Sequence, residues 1–98
     1  MYIVFEVPKE KARQADKALK DNIVSRQSIV VRDAKTLDVD KDVQFIMIEG
    51  SEEGIKKAKE LFEEIGSVMP DAEGKNIYDK IKDQDDAAAS GVGMLFGD

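Results

Sequence analysis

Residues 43–49 read Val-Gln-Phe-Ile-Met-Ile-Glu, a nearly unbroken apolar run bounded by Asp42 and Gly50. So short a run, rich in β-branched and aromatic residues, predicts a strand. Because it lacks a polar face, the strand belongs in the middle of a sheet, covered on at least one side. The residues that follow supply a cover. Ile55, Ala58, Leu61, Phe62 and Ile65 recur at spacings of three and four, the stripe of an amphipathic helix. Ser51 is a good N-cap, and Glu52 and Glu53 place negative charge in the first turn. Gly66 is expected as a left-handed residue closing this helix, with Pro70 as a stop.

The preceding half has the same character. Residues 2–7 alternate, with Ile3, Phe5 and Val7 on one side, and predict a strand that stops at Pro8. From 9 to about 21, Ala12, Ala15, Ala18 and Leu19 mark one narrow helical face, whose small side chains suit close approach to a sheet. Residues 22–27 break the pattern, residues 28–33 form a second strand, and residues 34–42 make a polar connection into the apolar run, the layout of an antiparallel hairpin. The order β-α-β-β-α is that of a ferredoxin-like α+β sandwich. Residues 71–83 predict an extra C-terminal helix with Ile77, Tyr78 and Ile81 on its apolar side. Residues 84–90 are either its fraying end or a linker. Residues 91–97, Gly-Val-Gly-Met-Leu-Phe-Gly, are either a fourth strand or an apolar tail. The expected organisation is one α+β domain over 1–83 and an acidic, alanine-rich linker with an apolar segment over 84–98.

Composition excludes several chemistries. The 98 residues contain no Cys and no His, which removes disulfides, thiol nucleophiles, Cys/His zinc sites and histidine acid–base catalysis. No apolar run approaches the ~20 residues of a membrane helix, and residues 2–7 are too short for a signal sequence, so a cytoplasmic protein is expected. The net charge is −6 and falls wholly on residues 50–98, which disfavours nucleic acid as a partner. Lys9, Lys11, Arg13, Lys17 and Lys20 gather in the first helix, but Glu10, Asp16 and Asp21 are interspersed with them, as on a solvated face.

Residues 28–66 resemble the strand–strand–helix half of KH-type RNA-binding domains, through the strand end Ile46-Met47-Ile48-Glu49-Gly50 and the Ala and Ile spacing of the following helix. The resemblance implies RNA binding through a GXXG loop, and the corresponding place here reads KDNIVSRQ, so no RNA-contacting residue carries over. The element order is also similar to ACT-type regulatory domains, an analogy of fold alone.

Two local features point to chemistry. Asp38, Asp40 and Asp42 alternate in the 34–42 connection, and such carboxylates can converge on Ca²⁺ or Mg²⁺. Glu49 falls at the twelfth position from Asp38, but Val43 stands where an EF-hand turn needs glycine. Val92, Met94, Leu95 and Phe96 form the second feature, an apolar patch suited to a protein partner or self-association. A further acidic group, Asp79, Asp83, Asp85 and Asp86, lies near the predicted end of the third helix, where it opposes the dipole. Gly91, Gly93 and Gly97 lack the Lys-Ser/Thr of a phosphate loop. No Ser, Thr, Tyr or Lys has the spacing of a nucleophile with its base. The sequence therefore leads to a non-enzymatic interaction or regulatory module. Divalent-cation binding and KH-like RNA binding, centred on Arg26 and Arg32, are the alternatives.

Overall fold

The structure, a computed structural model, describes residues 1–97, with side chains through Gln84. Three long strands form the centre: β1 (Tyr2–Pro8), β2 (Ser28–Asp33) and β3 (Val43–Glu49). A two-residue strand, β4 (Ser67–Val68), lies at one edge. The sheet order is β2-β3-β1-β4 and every pairing is antiparallel. With helices α1 (Ala12–Leu19) and α2 (Glu52–Phe62) between the strands, this is the expected ferredoxin-like α+β arrangement.

One face of the sheet is covered by α1 and α2. Ile3, Phe5 and Val7 of β1 and Ile46 and Ile48 of β3 pack there against Ala15, Ala18, Ile55, Ala58 and Phe62. Ala15 and Ala18 let α1 lie close, and Phe5 and Phe62 stack with ring centroids 4.6 Å apart. The N-cap is as expected: the Ser51 hydroxyl accepts the Gly54 N–H at 3.1 Å.

The other face is covered as well. A third helix, α3 (Asp71–Gly97), lays Ile77 and Ile81 on Val4, Phe45 and Met47. The 34–42 connection is less polar in its role than its composition implies. A short 3-10 turn at Ala34–Leu37 buries Ala34 and Leu37 in this second core. β3 is thus covered on both sides, which is why its sequence has no polar face.

Three sequence expectations need correction. The fourth strand is not residues 91–97, which continue α3, but Ser67–Val68. An alanine run at 87–89 favours helix, and glycine punctuation weakens a strand at 91–97. Gly66 is not left-handed, since no described glycine has positive φ. It is small because β1 passes beside it: a Cβ there would lie 2.6 Å from the Glu6 carbonyl oxygen. Finally, α1 begins at Ala12 rather than at residue 9, with a 3-10 turn over Lys9–Lys11 ahead of it.

Candidate functional site

β4 is short, and its shortness opens the most distinctive surface of the described protein. It pairs with β1 at Phe5 and Glu6, and one further bond runs from the Met69 N–H to the Val4 carbonyl at 2.9 Å. Pro70 then turns the chain into α3, because proline lacks the N–H a strand would use. Next to Tyr2 the edge of β1 has no strand partner among the described residues. A groove of about 290 Å³ lies there. Its floor is Met1 with Tyr2, Ile3 and Val4 of β1; Ile55 and Lys59 of α2 form one wall. Asp71 and Gly74 of α3 form the other, and Val68 closes one end.

The groove gathers exposed apolar surface. The exposed large apolar residues among those described are Met1, Tyr2, Val31 and Val68, and all but Val31 line it. Single exposed apolar residues are ordinary, whereas here three of them gather beside an open strand edge.

Tyr2 also anchors a polar cluster at the end of the sheet. Its ring lies 4.2 Å from that of Tyr78. The Tyr78 hydroxyl donates to Glu49 at 3.1 Å, and Lys82 donates to the other Glu49 oxygen at 3.3 Å. The hydrogen bond to the Glu49 carboxylate, then desolvation, hold the Tyr78 phenol above its ordinary pKa. These contacts pin α3 to β3.

The structure does not assemble the predicted cation site. Asp38, Asp40 and Asp42 are all exposed, and no three acidic side chains among the described residues are placed to hold a metal ion. Asp38 adopts a left-handed conformation (φ 61°) ending the 3-10 turn, which redirects the chain between the carboxylates. Asp42 pairs with Lys9 at 3.3 Å, and Lys9 also holds Asp33 at 2.9 Å. The hydrogen bond from Lys9, then one from the Lys35 N–H, keep the Asp33 carboxyl below its usual range. Of the two arginines on which RNA binding would centre, Arg32 donates to Gln84 at 3.2 Å and to the Val31 carbonyl at 3.1 Å, while Arg26 is exposed. The side chains of Val92, Met94, Leu95 and Phe96 lie outside the described residues.

Sequence reading missed the groove because it depends on where β4 stops. The proline at 70 was the available signal, since a proline two residues after Val68 limits any strand there. No family model matches the chain, and no curated protein or solved structure matches it. Among the described residues no helix is long and apolar enough to cross a membrane.

Proposed function

We propose that this protein is a small non-enzymatic interaction module whose partner-binding surface is the groove at the free edge of β1. The supporting observation is the clustering of Met1, Tyr2 and Val68 around an edge left open beside β4. A photo-reactive phenylalanine replacing Val68, introduced in cells, tests the reading. The expected result is a discrete protein adduct absent when the same probe replaces Val31 on β2. That adduct disappears with Tyr2→Pro, which removes one edge N–H at a position where an edge strand tolerates proline. Equal adducts at both positions, or adducts indifferent to Tyr2→Pro, overturn it.

A second reading follows from α3. The helix continues thirteen residues past Gln84, the last residue with a described contact to the body of the protein. On this reading Val92, Met94, Leu95 and Phe96 form a self-association surface. Light scattering of the protein ending at Gln84 tests it: a loss of dimer supports the tail, and an unchanged mass removes it.

A further inference from the structure

The backbone of β1 reports which groups the groove offers. The Gly50 N–H donates to the Met1 carbonyl at 2.9 Å, so Met1, Ile3, Phe5 and Val7 direct their backbone groups toward β3. Val4 accepts from Met69 on the opposite side, so Tyr2, Val4 and Glu6 direct theirs toward β4. β4 does not reach Tyr2, and the Tyr2 N–H and carbonyl therefore face the groove without a strand partner among the described residues. That is the chemical demand of an extended chain.

The walls add a charge rule. Lys59 stands on the α2 wall and Asp71 on the α3 wall, and these two helices cover opposite faces of the sheet. Neither makes an ion pair with a described residue. Successive side chains of a strand point to opposite faces. A strand in the groove would therefore send odd-numbered side chains toward one charge and even-numbered ones toward the other.

We propose that the groove takes an extended segment of a partner protein, added to β1 in line with β4. The segment carries an acidic side chain for Lys59 and a basic side chain for Asp71 at positions of opposite parity. This rests on the interaction reading above and specifies the partner's chemistry. A second copy of this chain fits the charges less well. Antiparallel pairing of two β1 edges about a two-fold axis keeps each face on its own side, placing Lys59 on the face of the other Lys59 and Asp71 on the face of the other Asp71.

Two peptides of identical composition test the proposal on the full chain by amide-resolved NMR. Acetyl-Thr-Lys-Val-Val-Glu-Thr-amide carries its charges at opposite parity, and acetyl-Thr-Lys-Val-Glu-Val-Thr-amide carries them at the same parity. The expected result is saturable shifts at Tyr2, Val68 and Met69 with the first peptide and at least several-fold weaker binding of the second. Lys59→Glu should reduce the first peptide to the level of the second. Equal binding of both peptides overturns the charge rule while leaving the groove as an interaction surface. Absence of a saturable shift with either peptide overturns the extended-segment proposal, and the cross-link at Val68 separately decides the interaction reading. Shifts at Tyr2 that grow with protein concentration alone would assign the groove to a second copy and overturn the proposal.

Discussion

The Gln27 side-chain oxygen accepts the Ser51 backbone N–H at 3.0 Å, while the Gln27 amide nitrogen donates to the Ile23 carbonyl at 3.0 Å. One side chain thus ties the turn before β2 to the start of α2. The amide lies over Gly50 and Gly54, where a Cβ on either glycine would collide with it. Gly54→Ala should destabilise the protein by about 1–2 kcal/mol, because Gln27 must move and its hydrogen bonds are lost. In a Gln27→Ala background the same change should instead stabilise by up to ~1 kcal/mol, since alanine is the better helix former. Urea denaturation of the four proteins checks this reversal of sign.

Gly66→Ala has no such remedy. The added methyl would meet the Glu6 carbonyl at 2.6 Å and a Val7 methyl at 2.8 Å, so backbone must shift. A loss of roughly 1–3 kcal/mol is expected. Thermal unfolding measures it, and a melting temperature equal to that of the parent protein would refute the close-approach explanation.

Ile81 is fully buried between α3 and the sheet face formed by Val4, Phe45 and Met47. Ile81→Ala should cost about 2–5 kcal/mol. Hydrogen exchange should show faster exchange in α3 before the α1/α2 layer responds, because the two cores lie on opposite faces of the sheet.

The Lys9–Asp33 pair predicts a pH dependence. Asp33 has its pKa lowered by folding, so its contribution is present above the ordinary carboxylate value of about 4 and fades as pH falls through the folded value. Lys9 has its pKa raised, by hydrogen bonds to Asp33 and then Asp42, so its contribution is complete below about 10.4 and is lost as pH rises through the folded value. Lys9→Met should move the Asp33 titration upward without restoring it fully, because the Lys35 N–H still donates to Asp33 at 3.0 Å. Carboxyl-carbon NMR titration reads the shift directly.

Much of this architecture is legible in local patterns. Alternation at residues 2–7, the apolar run at 43–49 and the stripe from Ile55 to Phe62 each correspond to an observed element. Ile77 and Ile81 are identifiable as a helical apolar side, and both are buried. The structure does not bring the carboxylates of Asp38, Asp40 and Asp42 together, for a definable reason. Spacing gives proximity along the chain, whereas coordination needs convergence, and Lys9 from a distant segment holds Asp42. Gly66 illustrates the same limit: its identity is visible, but the strand beside it is not.

The sequence by itself determined the kinds of elements and their apolar faces, because hydrophobic periodicity is a property of neighbouring residues. It also determined which chemistries are absent, through the missing Cys and His. Tertiary structure decided that α3 covers the second sheet face, that Ser67–Val68 is the edge strand, and that the β1 edge beside Tyr2 stays open. Those outcomes depend on which distant segments compete for one face and one edge, and on where Pro70 ends the pairing. No local pattern encodes that competition, so the groove exists only once the chain has folded.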